Sequence, residues 1–442
     1  ALVLVGGVLC IFVNKGKVQF FHQEQVGSVS TRIFDNEMDM PDGGIVLEPQ
    51  TLSSCGKITQ PGSYVLLNTL TSTDESEPCL TISQAKNVSV DCKGYAIEGI
   101  RSPMLVSHST NVELRSCTFE SLLTSAESKK NPAEMTIDYS TNIRINRSSI
   151  NTKKIERFVV WANASSHIEL TENTIYGVYY HNFSSKGLVQ GNTFSIPPSQ
   201  AQWPGTVIHL NYGHSNTVVN NIINGSAVIK MGGGSLGADD GILITGEHDD
   251  VVESNSIKNV WDCGIETLAL IQDSIFRKNT IHTAGICGIG GWFGNSLLGN
   301  RFEDNTTIDA PRAFLFYRAY GIGPEGKSPY GTVPAGTAYF KDNIFQGNTY
   351  STSGNSTASV FTMLPVSGDG LSGPYEKPVT WDDIIVGNNT FRNNNFGTSG
   401  PAPLIWPKVL AVDAGGNICG MVPETYSDVQ NDYSDGYPLV CN

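Results

Sequence analysis

An all-β solenoid is what this sequence predicts, and two observations carry the prediction. The first is a signature that recurs down the chain: an apolar stretch, an Asn, a hydroxyl or small residue, then another apolar residue. It is seen at Asn173-Thr-Ile175, Asn192-Thr-Phe194, Asn255-Ser-Ile257, Asn279-Thr-Ile281, Asn348-Thr-Tyr350 and Asn389-Thr-Phe391. Successive copies often lie about two dozen residues apart, a unit too short to bury a core alone, so each must stack on its neighbours. The second is cysteine spacing. With Cys10 set aside, the pairs Cys55 and Cys79, Cys92 and Cys117, Cys263 and Cys287, and Cys419 and Cys441 are separated by 24, 25, 24 and 22 residues. If one coil takes about two dozen residues, each pair occupies matching positions on adjacent coils, roughly 4.8 Å apart, within the reach of a disulfide. Four disulfides between neighbouring coils are therefore expected. The even count and matched spacing favour an oxidising compartment over a stack of free thiols.

Composition agrees with this. Charged residues make up 16% of the 442, with 46 Gly and 35 Asn, a balance that suits short strands and tight corners better than helices stabilised by charge pairs. The net charge is −14 with no basic stripe, which argues against nucleic acid as a partner. A solenoid grows by adding coils, so one long domain is expected rather than two or three globular ones.

Taken in order, residues 1–25 open with an uninterrupted apolar run, Ala1 to Val13, followed by Lys15 and Lys17. Thirteen residues fall short of the roughly 20 that span a bilayer, so the segment reads as a signal remnant, a membrane anchor or an assembly segment, with membrane contact confined to residues 1–13. Residues 26–50 read as a linker, 51–418 as the coils, and 419–442 as a polar C-terminal cap closed by Cys419 and Cys441. About 12 coils open near Leu80, Met104, Met135, Phe158, Val178, Val207, Ile242, Ile265, Ile289, Phe314, Val360 and Leu404. Short strands separated by Gly, Asn and Asp corners fit a continuously apolar interior. The recurring Asn is placed to form a side-chain ladder at one corner. Left-handed β-helices need short, rigid hexapeptide periods, so the irregular coil lengths favour a right-handed parallel β-helix.

The run Cys55-Gly-Lys-Ile-Thr-Gln-Pro-Gly-Ser-Tyr-Val-Leu, then Cys79-Leu-Thr-Ile and Asn87-Val-Ser-Val-Asp-Cys92, resembles the opening of extracellular right-handed parallel β-helix repeat proteins of the pectate-lyase-like fold. The resemblance extends to about Cys419. It implies a fold more than an activity, since such proteins include lyases, hydrolases, epimerases, adhesins and surface proteins.

Several groups are candidates for function. Eight Asn-x-Ser/Thr sequons, at Asn87, Asn146, Asn163, Asn182, Asn224, Asn305, Asn355 and Asn388, permit glycosylation. Two long insertions, between Phe316 and Ala338 and between Leu364 and Val379, interrupt the same corner of consecutive coils and should project side by side. They carry Tyr317, Tyr320, Tyr330 and Tyr375, with Trp381 just beyond, an aromatic set suited to sugar rings or to a partner protein. The catalytic candidates are acidic. Coil alignment sets Asp239 opposite Asp262 with Asp240 beside them, a carboxylate arrangement that acid and base roles in glycoside cleavage would need. The competing reading is an ordinary corner Asp that bonds backbone amides.

Polygalacturonase-like enzymes of this fold carry a paired Asp, a Gly-His-Gly and an Arg-x-Lys. Only Asp239-Asp240 fits, because Gly213-His214 comes too early and is followed by Ser215. For a lyase, Lys258, Arg277 and His282 are the nearest candidate bases. No metal site is predicted: there is no Cys-x-x-Cys pair, the His residues are scattered, and Asp249-Asp250 offers Ca²⁺ no repeated ligand spacing. Gly233-Gly-Ser235-Leu-Gly237 and Gly321-Ile-Gly323-Pro-Glu-Gly326 match a nucleophile elbow and a dinucleotide loop in letters only, since neither leads into a helix. The sequence thus favours a secreted or cell-surface structural or assembly protein. Its rigid β-helix rod would form filaments or coats and bind polysaccharide or other surface proteins, without a cofactor. The alternative is a lyase or glycoside hydrolase acting on acidic polysaccharide in a groove on the β-helix flank.

Overall fold

The computed structural model describes residues 48–122, 133–151, 158–196, 205–230, 233–235, 237–293, 296–319, 326–328, 331–333, 338–353, 361–365, 384–397, 404–405, 411–418 and 437–438, with the short strands 12–14 and 17–19. Ala1–Leu47 is a separate unit, in which Phe12–Asn14 pairs antiparallel with Lys17–Gln19. Among the described residues no helix is long and apolar enough to cross a membrane.

Among its described residues Glu48–Asn442 has three long stacked sheets and smaller ones beside them. A typical coil contributes one strand to each long sheet, as Leu80–Ser83, Lys86–Asp91 and Ala96–Gly99 do to sheets A, B and C. Sheets A and B have 14 strands each among the described residues and sheet C has 11. The chain advances one rung per coil: in sheet A, Leu80 pairs in parallel with Met104, and Met104 with Met135. The stack opens one coil below Leu80, with Gly56–Ile58 pairing to Leu80–Ile82. At the far end the parallel order stops, because Tyr437–Pro438 pairs antiparallel with Leu404–Ile405. Nothing else of the expected cap falls within the described residues.

Alternation within each strand sends one set of side chains inward. In early coils these are small and β-branched, such as Ile82, Val106, Val90, Val112 and Ile97. In later coils Phe276, Phe302, Phe345 and Phe391 stack ring on ring at 4.8 to 4.9 Å, the spacing of the strands that carry them.

Three of the four expected disulfides lie within the described residues, with Cα separations of 4.7 Å for Cys55–Cys79, 4.8 Å for Cys92–Cys117 and 4.5 Å for Cys263–Cys287. Cys419 and Cys441 lie outside them. The long insertions leave from Phe314–Ala319 and Phe361–Pro365, which are neighbours in sheet A. They return to Ala338–Lys341 and Ile384–Gly387, neighbours in a four-stranded sheet. Both therefore occupy one corner. Tyr320, Tyr330, Tyr375 and Trp381 lie outside the described residues, and for Tyr317 only the strand is described.

The asparagine ladder exists, and it is double. At the corner between sheets B and C, Asn173, Asn192, Asn221, Asn255, Asn279, Asn305, Asn348, Asn394 and Asn417 form one buried row. Each amide donates to a main-chain carbonyl and, up to Asn394, to the next amide oxygen. Asn279 Nδ2, for example, donates to Asn305 Oδ1 at 3.0 Å and to Val252 O at 2.8 Å. The expectation of one corner needs correction at Asn389, which joins Asn300 and Asn343 in a second row at the entry to sheet B. That row continues downward through Ser274, Asp250 and Asn216. The sequon at Asn305 falls in the first row at 2% exposure, with both amide hydrogens engaged, which leaves no room for a glycan in the folded chain.

Candidate functional site on the outer face of sheet A

Residues that alternate outward from sheet A form two parallel rows. Register fixes the first as Leu105, Thr136, Trp161, Tyr180, His209, Leu243 and Glu266. Its middle is aromatic and in contact. Trp161 meets Tyr180 edge-on at 5.8 Å, Tyr180 meets His209 edge-on at 4.7 Å, and Phe158, at the strand entry, stacks on Tyr180 at 4.7 Å. The second row is Ser107, Asp138, Asn163, Asn182, Asn211, Thr245 and Leu268. Here amides donate across coils, the lowest to a carboxylate: Asn163 Nδ2 to Asp138 Oδ1 at 2.8 Å, Asn182 Nδ2 to Asn163 Oδ1 at 2.9 Å and Asn211 Nδ2 to Asn182 Oδ1 at 2.7 Å. These side chains remain half-buried, so the row faces outward.

The next residue on each coil turns the corner with a left-handed backbone, at His108, Tyr139, Ala164, Phe183 and Tyr212, with φ of 45° to 53°. Non-glycine residues hold this conformation at a cost of about 1 kcal/mol each, and coil stacking imposes it. Tyr139 and Phe183 are 57% and 61% exposed, and Phe183 stacks on Tyr212 at 5.8 Å. Gly246 ends this corner row, for a Cβ there would strike the Tyr212 ring at 2.6 Å. An amide track thus runs up the flank between two aromatic rows.

Toward higher coils the first row becomes acidic. Asp239 and Asp262 are on adjacent rungs as expected, with the Asp262 N–H donating to the Asp239 carbonyl at 2.9 Å. Sequence reasoning missed Glu266, which register with Leu243 and His209 brings to the same place. Carboxylate oxygens of Asp240, Asp262 and Glu266 lie within 4.8 Å of one another, and all three residues are buried. Asp240 Oδ1 accepts the Cys263 N–H at 3.1 Å, while Asp262 Oδ1 touches Cys263 Sγ at 3.2 Å. Burial and the charge of Glu266 push Asp239 up to about 7, and burial, Glu266, Asp239 and Asp262 hold Asp240 well above the carboxylate range. The row ends at Gly290, where a Cβ would meet the Leu315 carbonyl at 1.8 Å.

The lyase candidates do not converge on these acids. Lys258 and His282 pair with each other on sheet C, and Arg277 on sheet B bonds Glu253 at 2.6 Å. A second buried polar group, also unforeseen, sits inside the coils where sheet A turns toward sheet B. Glu247 accepts the Gly213 N–H at 2.6 Å and Asn216 Nδ2 at 2.9 Å, and Asp250 accepts the Asn216 N–H at 2.7 Å. Burial raises Glu247 to about 9 and Asp250 to about 7. Nearby, His181 Nδ1 lies 2.5 Å from Tyr179 Oη, and burial lowers His181 to about 4.

Residues 158–328 match the family described as "Right handed beta helix region". No curated protein sequence matches the chain. Among solved structures, a tailspike protein described as Dettilon gp208 is 12% identical with a TM-score of 0.44, covering 80% of this chain and 62% of its own. This chain therefore spans less than two thirds of that tailspike. The A-module of a mannuronan C-5 epimerase from Azotobacter vinelandii is 14% identical, with a TM-score of 0.43 and coverage of 84% and 92%. A surface adhesin of Streptococcus pneumoniae is 10% identical, with a TM-score of 0.39 and coverage of 76% and 85%. At such distances no activity passes from any of them to this chain. The stacked parallel sheets, the register and the family match together identify the chain as a right-handed parallel β-helix.

Proposed function

We propose that this chain is a secreted or surface-displayed β-helix whose sheet A flank binds a polysaccharide. One observation carries the reading: the aromatic row Phe158, Trp161, Tyr180 and His209 beside the amide row Asn163, Asn182 and Asn211, which starts on the carboxylate of Asp138. Ring faces and edges stack against the C–H faces of sugars, and carboxamides exchange hydrogen bonds with hydroxyls. The rungs repeat at about 4.8 Å, comparable with the length of one sugar residue, so a chain of sugars meets the same chemistry at each coil. The three disulfides suit an extracellular setting.

Affinity electrophoresis of the purified chain through a panel of polysaccharides tests this. Retardation by at least one of them is expected, and Trp161→Ala or Tyr180→Ala should weaken it about three- to tenfold, the worth of one aromatic contact. Unchanged mobility in every polysaccharide would sink the reading. So would mass spectrometry showing glycans on Asn163 or Asn182, because the track would then be covered by the protein's own sugar. A second reading, cleavage of acidic polysaccharide at Asp239, Asp240 and Asp262, draws on the near-neutral Asp239. It is weaker because Lys258, Arg277 and His282 stand on other sheets.

A further inference from the structure

We propose that the folded chain carries N-linked oligosaccharides at Asn87 and Asn388 in preference to its other described sequons. The sequence offers eight such sites on equal terms, and backbone, burial and hydrogen bonding select these two. Both stand at the corner where each coil enters sheet B, in a row whose members hold a left-handed backbone. It runs from Asn87 through His167 and Asp249 to Asn388, with φ of 56°, 55°, 60° and 53°. Asn tolerates this conformation better than most residues, so the corner itself accounts for Asn at both ends. It also turns both side chains outward, where they are exposed.

Hydrogen bonding makes the same selection. In this row Asn142 Nδ2 donates to Asn111 Oδ1 at 2.7 Å and Asn111 Nδ2 to Asn87 Oδ1 at 2.8 Å. Each amide donates to the coil below, so Asn87, the lowest, keeps its own Nδ2 unengaged among the described residues, as does Asn388. The other described sequons are committed. Asn163 and Asn182 donate Nδ2 within the outer row at 2.8 and 2.9 Å, and Asn146 Nδ2 donates to Glu113 Oε1 at 3.2 Å. Asn224 Oδ1 accepts the Ser226 N–H and Asn259 Nδ2, both at 3.1 Å, and Asn305 is buried.

Glycan transfer joins Nδ2 to the anomeric carbon of an oligosaccharide carried on a lipid pyrophosphate. The carbon–oxygen bond to the pyrophosphate breaks, the lipid pyrophosphate leaves, and Nδ2 loses one proton to a base of the transferase. Oδ1 and one N–H survive, so Asn87 still accepts from Asn111. Where transfer precedes folding, a sugar on Asn305 blocks the stacking of coils, while one on Asn87 or Asn388 does not. Ten successive pairings in sheet B separate the two sites, so neither glycan sits on the coils of Trp161, Tyr180 and His209.

The test is secretion of the full chain from a eukaryotic cell, then digestion of the secreted protein with peptide N-glycosidase in heavy-oxygen water. Mass spectrometry reads each formerly glycosylated Asn as a labelled Asp. Occupancy at Asn87 and Asn388 is expected to exceed that at Asn146, Asn163, Asn182, Asn224 and Asn305 by about tenfold. Ser89→Ala and Thr390→Ala break the two sequons but keep both Asn side chains. Each should remove one glycan-sized step of gel mobility and leave the unfolding temperature of the deglycosylated protein unchanged. The same ranking is expected when the folded chain is offered to a purified oligosaccharyltransferase with its lipid-linked donor, so poor secretion does not spare the proposal. Absence of sugar at Asn87 or at Asn388, or equal occupancy at Asn305, overturns it. So does parental mobility in either variant. Polysaccharide retardation is read on the deglycosylated chain, where it can fail or succeed whatever these sites carry.

Discussion

The buried and the outer asparagine rows use the same side chain, the same parallel register and the same rung spacing, yet they do opposite work. In the buried row at the corner of sheets B and C, each amide satisfies a main-chain carbonyl as well as its neighbour, as Asn279 does with Val252 and Asn305. Removing one leaves polar groups stranded on two coils. In the outer row Asn163, Asn182 and Asn211 bond mainly to one another along the flank, half-buried beside Trp161 and Tyr180. Water can replace any of those bonds. The difference teaches that an amide ladder in a solenoid is structural where it closes a corner and available for recognition where it lies on a face.

The strongest way to break the comparison is Asn279→Ala. It deletes four side-chain hydrogen bonds, counting the two that Asn279 Oδ1 accepts from Asn255. A loss of about 3–5 kcal/mol in denaturant unfolding is expected, and a loss below about 1 kcal/mol would mean that the buried row is dispensable. Covalent and amide ties between coils can be compared next. Replacing Cys92 and Cys117 by Ala opens a 25-residue loop and should cost about 3 kcal/mol, read by the same unfolding curves with and without reductant.

The acids inside the coils give a pH signature. Glu247 and Asp250 titrate near 9 and 7 when folded, above their unfolded values of about 4. The folded state therefore holds more protons, and this contribution is full below about pH 4 and is lost as pH rises through 7 to 9. Glu247→Gln should flatten the decline of the unfolding temperature between pH 5 and 9, on the order of those values; an unaltered slope would assign the decline elsewhere. The smallest effect on stability belongs to Asn182→Ala. Less than about 1 kcal/mol is expected there, while polysaccharide retardation weakens, and a stability loss equal to that of Asn279→Ala would erase the distinction between the rows.

Much of the fold was legible in the sequence. The Asn-hydroxyl-apolar signature and the cysteine separations report the coil directly, because stacking demands that equivalent positions recur. That logic placed the disulfides Cys55–Cys79, Cys92–Cys117 and Cys263–Cys287 and set Asp239 against Asp262. It failed at Asn389, whose signature copies that of Asn348 but whose row is the other one. The spacing within a row varies from 19 to 46 residues, because loops of unequal length intervene. The site was less legible. Glu266 follows Cys263-Gly-Ile265 without any local motif, and Trp161, Tyr180 and His209 are separated by 19 and 29 residues. The aromatic residues of the insertions are more conspicuous in the sequence, since a concentration of Tyr in a loop stands out where a row dispersed over coils does not.

By itself the sequence determined that this chain stacks coils, where it is stapled and which residue types line its corners, because those properties repeat along the chain. Only the tertiary structure decided which face each residue meets. In a strand a shift of one position moves a side chain from core to surface, and parallel register, not sequence distance, brings Trp161 to Tyr180, Asn182 to Asn211 and Glu266 to Asp240.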